Sequence, residues 1–238
     1  MGIISVDIIW HSLGAFGPAI SAILIVYSIK GKDGLEELKE RCFKWDVHWS
    51  WIILCFFGPF ALFAIAVLIN FFITNTWFDL LGYMASNGFY EFYGLGFLIW
   101  LWINALSYGI FEEIGWRGFA LPKLQERHTA LTATLILSIF WALWHIPAFF
   151  YKLPLTIVPF WFMGLIIGAI IMTFIFNSTK GSVLMVMLFH VINNIVMVLD
   201  VNVIATIMSI MLTGIAILII IKWGKGLSTN EMYVSNME

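Results

Sequence analysis

Apolar stretches of about 20 residues recur along almost the whole chain, and this recurrence restricts the fold more than any other feature. A helix rises about 1.5 Å per residue, so each stretch is long enough to cross the roughly 30 Å of hydrocarbon in a bilayer. Lipid offers backbone N–H and C=O groups no partner, which leaves helix as the conformation for every crossing segment. Composition agrees: 62% of the 238 residues are apolar and 11% charged, where a soluble domain has about a quarter charged. The expected fold is all-α, a polytopic membrane helix bundle of about seven transmembrane helices. The spans fall at about 8–29, 49–73, 94–118, 129–150, 155–177, 182–199 and 202–222.

The distribution of the twelve Lys and Arg residues orients these spans. Lys30, Lys32, Lys39, Arg41 and Lys44 occupy the first loop; Arg117, Lys123 and Arg127 follow span three, Lys180 follows span five, and Lys222 and Lys225 follow span seven. Only Lys152 falls on the opposite side. The expectation is a multi-pass protein, of the plasma membrane, with its N-terminus outside and its C-terminus cytoplasmic. The first span has no basic segment before it and exceeds a signal-peptide core in length, so it reads as a retained helix. Cys42 falls in a loop and Cys55 in a span, which argues against a disulfide between them.

The connectors carry weaker signals. In the first loop Leu35, Leu38 and Cys42 recur at helical spacing, predicting a short amphipathic helix on the cytoplasmic surface, read as a solvated, lipid-touching connector. The second loop, about 74–93, holds Trp77, Phe78, Tyr83, Phe89, Tyr90, Phe92 and Tyr93 without a basic residue, as an outer aromatic belt would. Phe16-Gly17-Pro18 and Phe57-Gly58-Pro59 echo one another in spans one and two and predict structural kinks. Gly164 and Gly168 form a GxxxG pair, expected to serve internal packing. The tail after Lys225 looks disordered.

Ionisable side chains within spans cost several kcal/mol unless paired or hydrated, so each is a functional candidate. His11 suits an ordinary interhelical hydrogen bond. Six others resist a purely structural reading: Glu112, Glu113 and Arg117 at the end of span three, His145 in span four, and His190 and Asn194 in span six. Glu113 and Arg117 stand four apart with the acid first, the favourable order for an ion pair. Glu112 is turned about 100° from Glu113 on a regular helix and is left to hold water as a general base. His190 and Asn194, also four apart, share a helix face and suit a developing oxyanion. For these groups to meet, the chain from Glu112 to about residue 126 must stay helical or fold back, despite Pro122.

These residues resemble the three motifs of the CPBP family, the CAAX-protease and bacteriocin-processing membrane proteins also called Abi. Its EExxxR, FxxxH and HxxxN motifs match Glu112-Glu113-Arg117, His145, and His190 with Asn194, except that Trp141 stands where the motif has Phe. The resemblance covers about residues 94–200. It implies an intramembrane endopeptidase like the prenyl-protein endopeptidases that trim CAAX tails, with Glu112 and His145 activating water and His190 and Asn194 stabilising the tetrahedral intermediate. It also implies membrane lipid and a membrane-associated peptide or protein substrate as partners; no nucleic acid is expected. Glu112, His145 and His190 could instead bind zinc, but without an HExxH, and with Asn194 beside His190, metal-free chemistry is favoured. The competing class is a non-enzymatic protein, either a bacteriocin-immunity protein or a transporter; no repeat with paired motifs supports the latter. The expected organisation is residues 1–93 for N-terminal helices, 94–200 for a catalytic core, 201–225 for a last transmembrane helix and 226–238 for a disordered tail.

Overall fold

The structure is a computed structural model that describes residues 6–80, 82, 101–150, 155–198 and 202–229, with side chains from Leu13 onward except those of Ile103, Asn104, Val198 and Asn202. His11, Lys152 and most of the aromatic second loop therefore lie outside the described side chains. Among the described residues the elements are all helical. Helix α1 runs Val6–Cys42 and α2 Trp49–Thr74. The third helix, α3, is pieced together from Trp102–Leu106, Tyr108–Glu112, Glu113–Gly115, Trp116–Ala120 and Leu121–Gln125. Then come α4 (Ala130–His145), α5 (Val158–Ser178), α6 (Val183–Val198) and α7 (Asn202–Trp223). Five helices are long and apolar enough to cross a membrane, and α6 is a shorter apolar helix. The chain is an integral, multi-pass α-helical bundle, and its many exposed Leu, Ile and Phe side chains fit a lipid solvent.

Helix α1 is not one rod. Gly31, at φ 62° and ψ −143°, breaks it, a backbone conformation open to glycine because it has no Cβ. Lys30 and Glu37 pair across the break at 2.7 Å. Beyond it Leu38 and Cys42 are buried and Leu35 is half-buried, so the amphipathic helix predicted from their spacing exists. Its apolar edge, however, meets protein: Leu38 sits against Gly118 of α3, and Arg41 donates to the Gly118 carbonyl at 2.9 Å. The lipid-touching connector is thus corrected to a brace on α3.

Helix α3 stays helical past Glu112 to Gln125 with Pro122 buried inside it; proline has no N–H for the Gly118 carbonyl four residues back, and Arg41 donates to that oxygen. A turn then leads to α4, capped by Thr129. Glu112 precedes the end of α3 by about the distance at which His145 follows the start of α4, roughly 20 Å in each helix. The antiparallel pair therefore brings both to one depth. His190 lies much nearer the start of α6, and the difference is absorbed because the α5–α6 turn is itself sunk into the protein. Gly181, Ser182 and Val183 are buried, and Ser182 Oγ donates to the Lys44 carbonyl at 2.5 Å.

Two expectations fail on packing. Among the described residues a Cβ on Gly164 would meet nothing within 4 Å, and one on Gly168 would meet only Met172 of its own helix, so the GxxxG pair mediates no close approach between described helices. The start of the tail is not disordered: Leu227 is fully buried, Asn177 Nδ2 donates to the Gly226 carbonyl at 3.2 Å, and the Thr229 N–H donates to Ser178 Oγ at 3.0 Å. Asn177 also exchanges hydrogen bonds with Gln125 at 3.0 and 3.2 Å, which ties the end of α3 to α5 and the segment after α7.

The two kinds of glycine make opposite forecasts for thermal unfolding in detergent. A Cβ on Gly115 would lie 2.5 Å from Pro18 Cβ and 2.6 Å from the Pro18 carbonyl, so Gly115→Ala should cost about 1–3 kcal/mol. Gly164→Ala should stay within about 0.5 kcal/mol of the parent. Equal unfolding temperatures for all three proteins would contradict the close packing of α1 on α3.

Candidate active site

The centre of α3 is where the backbone departs most from a regular helix. Two π-helical stretches, Tyr108–Glu112 and Trp116–Ala120, flank the single α-turn Glu113–Gly115. A π turn inserts a residue into the helical repeat and so rotates the side chains beyond it to a new face; such turns occur often at functional sites. Here two consecutive glutamates, 1% and 0% exposed, turn to different neighbours.

Glu113 faces Arg117 and α6. Arg117 Nη1 donates to both carboxylate oxygens, at 2.9 and 3.0 Å, and His190 Nδ1 lies 2.7 Å from Oε1. A carboxylate held by a guanidinium is ionised, so it is His190 Nδ1 that carries the proton. Both members of the ion pair are fully buried. The Arg117 guanidinium also lies over the Trp141 ring, 4.6 Å from its centroid, in cation–π contact.

Glu112 faces α4. Trp141 Nε1 donates to its Oε2 at 2.9 Å, and His145 Nε2 lies 3.5 Å from its Oε1. That second approach is too long for a good hydrogen bond, and among the described residues Oε1 has no hydrogen-bond partner. His145 Nδ1 is 2.8 Å from the Trp141 carbonyl. A carbonyl only accepts, so Nδ1 bears the proton, and the neutral form of His145 with that tautomer presents a lone pair on Nε2. Two proton acceptors thus face each other across a narrow gap, one on a buried carboxylate and one on a ring that is 16% exposed.

Aromatic side chains wall this gap. Trp161 of α5 lies 4.9 Å from the His145 ring and Tyr108 lies 6.2 Å from it, centroid to centroid. Helix α1 closes another side through the Phe16-Gly17-Pro18 triplet: Phe16 packs on Phe111 at 4.1 Å, Gly17 leaves room for the Trp144 ring, and Pro18 presses on Gly115. The structural role expected of the triplet is therefore to pack on the segment carrying Glu112.

The structure gathers Glu112, Glu113, Arg117, His145 and His190 as their motifs suggested. Asn194 stands half-buried one turn beyond His190 on α6. Trp141, which at first reading is only an aromatic replacing the motif's Phe, touches most of the cluster; the one signal for it was its place four residues before His145. As for metal, Glu112 Oε1 and His145 Nε2 at 3.5 Å are spaced like two ligands on one zinc ion, each at about 2.1 Å. Among the described residues no three His, Cys, Asp or Glu side chains are grouped to hold an ion, and His190 is turned through Nδ1 to Glu113. Nε2 is the ring nitrogen His190 has left, and a histidine that gives Nδ1–H to a carboxylate is oriented as metal-bound histidines are.

Residues 94–196 match the family model described as type II CAAX prenyl endopeptidase Rce1-like. Over 94 residues the chain is 32% identical to a protein of Methanococcus maripaludis named CAAX prenyl protease 2. That alignment takes in 36% of this chain and 35% of the archaeal protein, so it spans about a third of the relative's length. The residues matched by the family model hold all six candidate residues.

The buried pair gives a stability forecast independent of chemistry. Glu113→Ala leaves Arg117 charged, enclosed and without its carboxylate, a change that costs about 3–5 kcal/mol. It also removes the acceptor that orients His190. The thermal unfolding temperature in detergent should fall sharply for Glu113→Ala, and a variant as stable as the parent would show that buried Arg117 and His190 do not depend on the Glu113 carboxylate.

Proposed function

We propose, for a chain whose residues 94–196 place it in the CPBP family, an intramembrane endopeptidase that hydrolyses a peptide bond with water activated by Glu112. The observation that carries this reading is the pairing of Glu112 Oε1 with His145 Nε2 in a buried, aromatic-walled gap. Each atom is a proton acceptor, and water is the small molecule that can donate to both. A water bonded to both at about 2.8 Å holds them roughly 4.5 Å apart, so entry needs about 1 Å of opening, within reach of the partly exposed His145 ring.

In this mechanism the water oxygen bonds to the carbonyl carbon of the scissile peptide while one of its protons passes to Glu112. The carbonyl oxygen becomes an oxyanion and is received by His190 and Asn194. With Nδ1–H given to Glu113, His190 donates from Nε2 as the imidazolium; Glu113 is already paired with Arg117, so the charge that balances the imidazolium is the developing oxyanion itself. Glu112 then returns the proton to the amide nitrogen as the C–N bond breaks, leaving a carboxylic acid and an amine. Water, proton and electron pairs all balance without a cofactor, and no step runs through a metal ion.

The substrate class is suggested by the setting and by the relatives: a peptide or protein that enters from the membrane, with a lipid-bearing CAAX-type tail as the first candidate. With Arg117 buried inside α3, the ten remaining basic residues on one side orient the chain with its N-terminus outside and its C-terminus cytoplasmic, in the plasma membrane.

A farnesylated CAAX peptide cleaved by purified protein in detergent tests the reading. Glu112→Ala should abolish cleavage while the protein still unfolds cooperatively, because the base goes and the Glu113–Arg117 pair stays. Asn194→Ala should cost about 10²–10³ in rate, the usual loss for one oxyanion donor, and strong chelators should have no effect. Full activity in Glu112→Ala would refute the base. Chelator inhibition reversed by zinc, with a smaller loss in Asn194→Ala, would replace the mechanism by a metal-dependent one.

A further inference from the structure

Trp141 is the side chain around which the candidate site is arranged. Its indole N–H donates to Glu112 Oε2 at 2.9 Å, its carbonyl accepts from His145 Nδ1 at 2.8 Å, and its ring face carries the Arg117 guanidinium at 4.6 Å. The ring edge also meets the His190 ring, with centroids 5.7 Å apart and planes at 78°. Trp141 itself is 5% exposed. The Phe of the family motif would reproduce the ring contacts and the backbone carbonyl, but it has no N–H to offer. The hydrogen bond to Glu112 is thus a property of this chain's own residue.

We propose that Trp141 is the positioning residue of this site: its N–H occupies Oε2 of Glu112, so the carboxylate presents only Oε1 to the gap shared with His145. A free carboxylate can rotate about its terminal bond, which is a broad torsion with weak preference. Anchoring one oxygen removes that rotation and fixes which lone pair receives the proton, and holding a reacting group within a few tenths of an ångström is what catalysis requires. The carbonyl of the same residue fixes the tautomer of His145. One residue therefore sets both acceptors at the gap, one through its side chain and the other through its backbone. This inference rests on the proposal that Glu112 is the base, and it adds the reason why a single oxygen of Glu112 acts.

The test separates the hydrogen bond from the ring. Trp141→Phe keeps an aromatic surface for Arg117 and loses the N–H; replacing Trp141 by benzothienylalanine keeps the bicyclic shape as well and puts sulfur where the N–H was. Loss of a hydrogen bond to a charged group is worth roughly ten- to hundredfold, so both variants should lower kcat for the farnesylated peptide by that factor, with KM and unfolding temperature close to the parent. A merely structural role would instead lower the unfolding temperature and leave kcat per folded molecule unchanged. Infrared spectroscopy gives a readout that needs no activity: the Glu112 carboxyl band, identified by its loss in Glu112→Gln, should shift in both variants. If the parent fails to cleave the peptide, the functional proposal falls while the band shift still decides the hydrogen bond. An unshifted band, or parental kcat in the benzothienylalanine protein, would overturn the role of Trp141.

Discussion

The buried Glu113–Arg117 pair is the interaction on which the rest of the bundle depends. Two full charges withdrawn from water carry a desolvation penalty of several kcal/mol each, which is offset only where geometry is good and further hydrogen bonds are made. Here Arg117 meets both carboxylate oxygens, His190 takes a further bond to Oε1, and the Trp141 ring covers the guanidinium. These contacts involve α3, α4 and α6 at once. The pair itself lies within α3, and His190 of α6 and the Trp141 ring of α4 close over it, so withdrawing either helix would take a partner from a buried charge.

Once α3 is fixed, Glu112 has little choice of surroundings. The π turns on either side of Glu113 let adjacent glutamates address different helices, and the short turn between α3 and α4 brings His145 to the same level. Helix α1 closes the arrangement from outside the region matched to known proteins, with Pro18 against Gly115 and Leu38 against Gly118. The catalytic constellation proposed here is accordingly held by packing from α1 as well as from α3, α4 and α6, which carry its motif residues.

Much of this was legible in the sequence for plain reasons. Apolar stretches of membrane-crossing length have no other fold open to them, and the seven spans lie where the described helices run. Charged residues inside such stretches are costly enough to mark a site, and Glu113 with Arg117 at i,i+4 marks an ion pair. What stayed hidden depended on distances between segments. Leu35, Leu38 and Cys42 revealed an amphipathic helix but not that its apolar edge would meet α3 instead of lipid. Gly164 and Gly168 have the spacing of a contact that is not made among the described residues. Residues after Lys225 look like a polar tail, yet Leu227 and the side chain of Asn177 dock its beginning. Trp141 read as a conservative aromatic exchange because a motif records the ring and not the N–H.

The central proposal is that Glu112 acts on water and never bonds to the substrate. A single turnover in water enriched in oxygen-18, with enzyme in excess over farnesylated CAAX peptide, tests it most directly. Direct attack by water puts one heavy oxygen into the new carboxyl group of the product and none into Glu112, and mass spectrometry of the product and of the enzyme fragment containing Glu112 should show that distribution. Heavy oxygen appearing in the Glu112 fragment, with unlabelled product, would show that the carboxylate had formed an acyl intermediate with the substrate, and would contradict the account.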